Sequence, residues 1–501
     1  MMIEAAAQIA EMLETTRAVT LRLFDMAARE EDLHESPGGG FRPVIWHLAH
    51  IGVFEAYWIL QKVKGDDAPD ALYERIFDPI ATPREKSANL PTRREMELYL
   101  SRVRSATLGY LEEARFDERA TSPLLRDGYI FQLVLQHERQ HQETLAYLLH
   151  MLDPAKKRRA PDTHGTATAG DAPGTTTASD AHDALTVEAH DALTGEAREA
   201  IAPQVAAHAS LQVGAHTSQQ VGAHASPQVA PVAGRDMVSV PAGEFTMGAP
   251  WPMFVYDNEL PAHAVSPAAF KIDRLPTTNE EYARFIDEGG YERREWWDEE
   301  GWRWRERENW TRPFYWTPRN LDGDTARRWS VRAMFEEGAL KPEHPVAGVS
   351  WYEAAAYARF AGKRLPTEAE WEKAASWDAV TGRKRLYAWG DEAPTPAHGN
   401  FDLRRWETSP VGSYPAGASS YGCLDMTGNV WEWTSDAFAG YANFTAYPYP
   451  EYSEVWFDGD HRVLKGGSWA THPSLLRTSF RNFFRPHFRI AFAGIRCAAD
   501  A

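Results

Sequence analysis

Cysteine is nearly absent from this sequence, and its scarcity excludes whole classes of protein. The chain has 501 residues and two cysteines, Cys423 and Cys497. Two thiols cannot build a disulfide framework or a cysteine-rich zinc site. They fit a reducing compartment, so the composition predicts a cytoplasmic protein in which both cysteines are small buried residues.

Long apolar runs and basic blocks are also missing. No stretch approaches the ~20 apolar residues that a membrane helix needs, and the N-terminus carries Glu4 and Glu11 where a signal peptide would be basic. The formal net charge is −18, which is opposite to the charge of a nucleic-acid binder. We therefore expect neither a membrane nor a nucleic acid as a partner.

Aromatic residues disappear from one internal segment. Residues 160 to 235 contain no Phe, Trp or Tyr, and octapeptide repeats place several histidines at regular spacing. Such a composition cannot bury enough apolar surface to offset the entropy of ordering. We predict a disordered linker over residues 156–235, between domains at 1–155 and 236–501. The regular histidines suggest either weak metal binding or repeat slippage in a tolerant segment.

The N-terminal domain shows the apolar spacing of helices. Four long segments, within residues 9–26, 44–63, 95–114 and 130–152, place apolar residues three and four apart. Loops separate the four segments. This pattern predicts a four-helix bundle.

The C-terminal domain has a different texture. Short β-like runs alternate with Gly/Pro-rich turns and Trp-rich loops. The stretch "PTEAEWEKAAS" indicates a helix, with Thr367 as N-cap and Glu370 completing a capping box. We expect an irregular α+β domain, and so a multidomain protein of mixed class.

Two histidine pairs carry the strongest chemical signal. His137 and His141 lie four apart on one predicted helix face, and His47 and His50 lie three apart on another helix. Inward-facing histidines of neighbouring helices are how bundles build metal sites, and imidazole suits Fe, Zn, Cu and Ni. Three such ligands would leave open positions, which favours catalysis. The alternative is a helix that happens to contain histidine. Glu143 lies off the ligand face, as a second-shell partner or a surface charge.

These motifs resemble a known family. "WHLAHIG" and "HERQHQE" are similar to the DinB-like half of the EgtB-type sulfoxide synthases of ergothioneine biosynthesis. "VPAGEFTMG", "HPVAGVSWYEAAAYARFAGKRLPTEAEWEKAA", "GNVWEWTSD", "RVLKGGSWA" and "FAGIRCAAD" resemble the partner domain of that family, in family order. The partner domain is related to the formylglycine-generating enzyme, with a C-type-lectin-like fold. The resemblance covers nearly the whole chain outside the linker.

The resemblance implies a metal, a reaction and a ligand set. In the family, iron(II) is held by three histidines, which correspond to His50, His137 and His141. The reaction of this family couples C2 of the imidazole of hercynine (Nα-trimethylhistidine) to a cysteinyl thiol, uses O2 and leaves a sulfoxide. The expected partners are therefore small molecules: hercynine, a thiol or selenol donor, and O2.

The resemblance also implies roles for individual side chains. Tyr449 matches a tyrosine near the iron that acts as proton donor or redox partner. Tyr452 matches a residue lining the trimethylammonium group, which aromatic faces attract. Gln140 and Asn482 match positions that orient the substrate carboxylate. The complete predicted substrate-binding set is Gln140, Tyr452, Asn482, Phe483, Arg485 and Arg489.

The donor site departs from the family pattern. Members that use γ-glutamylcysteine carry an Asp and an Arg where this chain has Phe484 and Phe488, and a phenyl ring cannot form an ion pair. Cysteine is thus favoured as donor over γ-glutamylcysteine. A selenosugar, as used by the related selenoneine synthases, and a non-catalytic ligand-binding relative stay as alternatives. A cysteine-based formylglycine-generating activity is not expected, since "RTSFRNFF" contains no Cys.

Overall fold

This computed structural model describes residues 2–38, 40–79, 82, 87, 89–117, 119–159, 236–319 and 329–501. All but the first four residues of the predicted linker lie outside that set, and so does its histidine array. The prediction of disorder there stays a prediction.

The N-terminal half is helical, and the four predicted long helices are confirmed. A Thr92–Glu95 capping box begins the third of them. The second continues into a π-helix, Ala56–Lys64. The α-helices of the N-terminal half are α1 Met2–Phe24, α2 Glu30–His34, α3 Trp46–Glu55, α4 Ala71–Phe77, α5 Arg93–Glu113 and α6 Tyr129–Met151.

Buried charges join the four long helices. Arg17 of α1 pairs with Glu138 of α6 and with Glu55 of α3, and Arg104 of α5 binds Glu55 at 3.0 Å. Burial raises the pKa of Glu138, while Arg17 and Arg104 oppose that rise. Removing one member of a buried ion pair leaves the other charge buried without a partner, which lowers the free energy of unfolding by about 3–5 kcal/mol. The network therefore fixes how α3 and α6 sit against each other.

The C-terminal half mixes short strands with four α-helices in its described residues. The predicted capping box of Thr367 and Glu370 is present. The helices are α7 Asn279–Asp287, α8 Glu299–Arg307, α9 Trp351–Phe360 and α10 Glu368–Ser376. The strands are β1 Met237–Val240, β2 Phe245–Met247, β3 His263–Val265, β4 Phe270–Asp273, β5 Trp316–Pro318, β6 Trp329–Arg332, β7 Glu337–Ala339, β8 Trp377–Asp378, β9 Arg383–Lys384, β10 Trp431–Ala437, β11 Arg462–Lys465, β12 Asn482–Phe484, β13 Ala493–Gly494 and β14 Ala498–Asp500.

A four-stranded sheet in the order β12-β11-β10-β13 forms the centre of this half. β10 and β11 are antiparallel, and β11 pairs with β12 so that Leu464 faces Asn482. A second sheet has the order β1-β4-β14 and brings both ends of the domain together. Cys423 and Cys497 are both buried, as predicted.

One face of α6 packs on the C-terminal half. Its six residues recur at three- and four-residue spacing, so they share a face of the helix. Ser474 forms hydrogen bonds with Gln136 and Arg139. Phe488 and Phe492 pack on Tyr147. His150 forms a hydrogen bond with the Arg332 carbonyl at 2.8 Å. We call this face the docking strip: Gln136, Arg139, Gln140, Glu143, Tyr147 and His150.

The apolar core is continuous across this contact. One cluster of buried side chains includes Leu145 of α6 together with Trp431, Trp469 and Phe492 of the C-terminal half. The two halves therefore share a core. Among the described helices, none combines the length and the apolarity that crossing a bilayer requires.

Candidate metal centre and substrate site

Three histidines meet between α3 and α6. His50, His137 and His141 are buried, and each offers a ring nitrogen within 4.8 Å of the others. Their ring centroids are 5.5 to 6.3 Å apart. One turn of α6 separates His137 from His141, so both imidazoles face α3. In the part of the chain that the structure describes, this is the one cluster with metal-ligand spacing.

The second ring nitrogen of two of these histidines is engaged by the bundle. His50 Nδ1 bonds the Phe77 carbonyl at 2.6 Å, and the His50 ring stacks on Trp46. His141 Nδ1 contacts His47 Nδ1 at 2.9 Å. Such partners fix the tautomer and direct Nε2 toward a metal. His47 is thus beside the three-histidine group and supports one member of it.

The donor set fits iron. Three neutral imidazoles on one side of an ion leave positions for exogenous ligands, and imidazole is an established ligand of Fe(II), although it also suits Zn, Cu and Ni. Each histidine is also nearly inaccessible to water, with exposed fractions of 3%, 1% and 0% in chain order.

His47 is expected to tune metal affinity as a hydrogen-bond acceptor. Burial, followed by His50 and Arg42, holds the pKa of His47 well below its usual value, so the ring is neutral. A metal-bound His141 would donate from Nδ1 to His47. His47→Leu removes the acceptor and should weaken Co(II) binding roughly 10- to 100-fold by calorimetry. His47→Asn, which keeps an oxygen near the Nδ1 position, should retain most of the affinity; equal losses in both variants would contradict this role.

Tyr449 lies in a loop that packs against the continuation of α3. Its ring is 4.8 Å from Trp58 and 6.4 Å from Phe54, and Phe54 in turn packs on His137. The loop is anchored by Asp257, which accepts hydrogen bonds from the Ser453 hydroxyl and from the Tyr447 amide at 3.2 Å. Burial raises the pKa of Asp257 to about 6, and those hydrogen bonds oppose the rise.

Gln140 joins the metal helix to the same loop. Its amide donates to the Tyr452 hydroxyl at 3.0 Å and accepts from the Tyr256 hydroxyl at 3.2 Å. The two tyrosine rings stack with centroids 4.2 Å apart. Burial raises the pKa of both phenols well above the usual value, so both remain protonated donors. Two predicted substrate contacts thus lie within hydrogen-bond distance of each other.

Asn482 and Phe483 point to opposite faces of β12, because side chains alternate along a strand. Asn482 Oδ1 accepts from the Phe483 amide at 2.9 Å. The ring of Phe483 stacks on Phe438 and belongs to a small separate cluster of buried apolar residues. Phe483 therefore serves packing, and we leave it out of the proposed site.

Arg485 and Arg489, also predicted to bind substrate, are held by carboxylates of their own domain. Arg485 pairs with Asp460. Arg489 binds Glu353 through two hydrogen bonds of 2.8 Å, and Glu353 completes the capping box of α9. These ion pairs favour a structural role for both guanidinium groups, and we do not include them in the proposed site.

Phe484 and Phe488 form an aromatic wall between the two halves. Their rings stack at 4.5 Å, and Phe488 lies 6.2 Å from Phe41 and 6.4 Å from Tyr147. Both phenylalanines are buried. This wall offers no charged group to a donor.

The sequence reading missed Tyr256 and underestimated Glu143. Tyr256 stands in no recognisable motif, and only the folded chain brings it to Gln140. Glu143 is neither beside the metal ligands nor at the surface; it binds Trp431, Ser468 and Thr471 of the C-terminal half. The spacing of polar residues along the docking strip was a signal for this second buried face.

Comparison with known proteins agrees with this architecture. Residues 12–145 match the DinB superfamily, and residues 223–501 match the sulfatase-modifying factor enzyme 1-like domain. The chain thus falls in the class of proteins that join a helical DinB domain to a formylglycine-generating-enzyme-like domain, as the sequence predicted.

Full-length relatives identify the family. The hercynine oxygenase of Mycolicibacterium thermoresistibile is 36% identical over 99% of this chain and 95% of its own length. That of Mycobacterium tuberculosis is 38% identical over 98% of this chain and 99% of its own. The formylglycine-generating enzyme of Streptomyces coelicolor is 35% identical, but over only 53% of this chain. The chain belongs to the hercynine oxygenase (EgtB) family and is an oxygenase.

Proposed function

We propose that the chain is an iron(II)-dependent sulfoxide synthase that couples C2 of hercynine to the sulfur of a thiol donor, a step of ergothioneine biosynthesis. The observation that carries this proposal is the buried group of three histidines in a chain that aligns end to end with hercynine oxygenases. His50, His137 and His141 would hold Fe(II). The reactants are small molecules.

The proposed reaction needs no added reductant. A C–S bond replaces the C2–H and S–H bonds, and the sulfur then gains an oxygen atom. These two oxidations remove four electrons, which reduce one O2. One oxygen atom ends on sulfur, and the other leaves as water with the two protons released from C2 and sulfur.

The protein's own groups then have distinct tasks. Fe(II) held by His50, His137 and His141 would supply open positions for the reactants and would favour the deprotonated form of the thiol. Tyr449 would supply or accept a proton through its hydroxyl. Gln140 and Asn482 would orient the hercynine carboxylate, and Tyr452 would face the trimethylammonium group, to which an aromatic ring is attractive.

The aromatic wall supports cysteine as the donor. γ-Glutamylcysteine extends beyond cysteine by a glutamyl group that ends in an ammonium and a carboxylate, and Phe484 and Phe488 can pair with neither. A charged group that is desolvated without a partner costs about 1–3 kcal/mol or more. Free cysteine has no such extension.

A donor comparison tests this proposal. Iron-loaded protein is incubated aerobically with hercynine and either cysteine or γ-glutamylcysteine, and products are quantified by mass spectrometry. We expect the sulfoxide with both thiols, with kcat/KM roughly 10- to 100-fold higher for cysteine because of the desolvation cost. A preference for γ-glutamylcysteine would contradict the donor assignment.

A selenosugar serves as the third donor in the same experiment, and an assay without iron is the control. Selenium–carbon coupling in preference to sulfur would assign the chain to the selenoneine branch. If no donor yields product although iron is bound, the chain is a ligand-binding relative and the enzymatic proposal fails.

A further inference from the structure

Glu143 has no task in the proposed reaction, yet its carboxylate accepts three hydrogen bonds from the C-terminal half. Its Oε1 accepts from Trp431 Nε1 at 2.7 Å and from the Ser468 hydroxyl, and its Oε2 accepts from Thr471 Oγ1 at 2.6 Å. We propose that Glu143 is a positioning residue: its carboxylate fixes α6, and with it the metal-site histidines, against the domain that carries Tyr449.

The three donors have fixed directions. The Ser468 oxygen already accepts from the Ala470 amide at 3.1 Å, and the Thr471 oxygen accepts from the Ser468 amide at 2.7 Å. The Trp431 indole is a donor only, and an ionised carboxylate is an acceptor only, so each hydroxyl directs its one proton toward Glu143. A carboxylate accepts at both oxygens, whereas a carboxamide accepts at one.

The three donors lie at one end of β10 and β11, the two middle strands of the central sheet. Trp431 begins β10, and the turn with Ser468 and Thr471 follows β11, the neighbouring strand. Gly466 and Gly467 open this turn with φ of 96° and 86°, where L-residues are strained. A side chain at Gly467 would also approach Leu476 to 2.7 Å. The turn is thus rigidly built, and its hydroxyls are held in place.

In the described chain, Glu143 is held by neutral hydrogen-bond donors and not by an ion pair. It is buried, and its partners in the described chain are the three neutral donors. A buried carboxylate satisfied only in this way still carries a desolvation cost. An apolar side chain would bury the same surface without that cost, so the carboxylate contributes direction more than stability.

Direction matters here because the site is split between two halves. Gln140 lies one turn before this carboxylate on the docking strip, and His141 lies two residues before it. Tyr449 and Tyr452 lie on the opposite half. A misplacement of about 1 Å between such groups can cost about 100-fold in rate. This kinetic consequence rests on the proposed function, whereas the placement of α6 does not.

The test uses Glu143→Gln, which keeps the shape and removes one acceptor. Glu112→Gln, the same change at an exposed position of α5, is the matched control. We expect kcat with hercynine and cysteine to fall roughly 10- to 100-fold in Glu143→Gln, and hydrogen exchange to rise in residues 466–471. The visible spectrum of the Co(II)-loaded protein should not change, because His50 and His141 are held from within the bundle. Thr471→Val, which deletes one donor, should likewise lower kcat and raise hydrogen exchange in residues 466–471.

Two results would overturn the proposal. Wild-type kcat and exchange in Glu143→Gln would show that the carboxylate does not hold the helix. A changed Co(II) spectrum would show that Glu143 supports the metal ligands themselves. If the wild-type protein makes no product, the proposed function fails, and hydrogen exchange at 466–471 still decides whether Glu143 fixes α6.

Discussion

Replacing His141 with alanine is expected to abolish stoichiometric metal binding and to lower turnover to below about one thousandth of the wild-type rate. His141 is fully buried and contributes one of three ring nitrogens. An ion that holds both reactants in place supplies effective molarities of about 10⁵ M or more, and this advantage disappears with the ion. Metal content by atomic spectrometry and product formation from hercynine and cysteine measure the two effects.

His150→Ala is the matched control for the loss of His141. Both residues are buried histidines of α6, but His150 lies in the docking strip and bonds the Arg332 carbonyl. Its replacement should leave metal content at the wild-type value. Full activity and a full complement of metal in His141→Ala would remove this residue from the metal site and, with it, the basis of the proposed reaction.

The metal cluster was predictable because its signal is local. A four-residue interval on an apolar helix places His137 and His141 on one face whatever the rest of the chain does. The choice between His47 and His50 was not local, since both lie on the same side of α3. The resemblance to the family favoured His50, and the folded chain brings His50 into the cluster while His47 contacts His141 from behind.

The substrate side was predictable only in part, because it depends on contacts between distant segments. Gln140 and Tyr452 are 312 residues apart and form a hydrogen bond. By contrast, Arg485 and Arg489 were predicted to bind substrate. Sequence spacing cannot reveal that Asp460 and Glu353 already bind those guanidinium groups. The acidic partners of both arginines come from other segments of the domain.

The arrangement explains why the two domains belong together. The bundle supplies the three clustered histidines, and the C-terminal half supplies the tyrosine loop. Trp58 and Phe54, on the continuous helix that also carries His50, form the surface on which Tyr449 rests. The proposed site is therefore incomplete in either half alone.

Tyr449→Phe is expected to lower kcat by about 100- to 10,000-fold, the usual contribution of a general acid or base, while metal binding persists. The substitution removes only the hydroxyl, and the phenyl ring keeps its contacts with Trp58 and Phe54. Because Gln140 and Tyr452 are unchanged, KM for hercynine should change little. A rise in KM with an unchanged kcat would instead indicate that Tyr449 binds substrate without taking part in proton transfer.

Tyr447→Phe provides the comparison that separates chemistry from loop structure. Tyr447 lies two residues earlier in the same loop and is 41% exposed, and its ring packs on Tyr129. Loss of its hydroxyl should leave kcat unchanged. If both variants retained wild-type turnover, the proton would have to come from another group near the three histidines. Tyr256 and Tyr452 would then be the next residues to test, because their protonated hydroxyls already converge on Gln140.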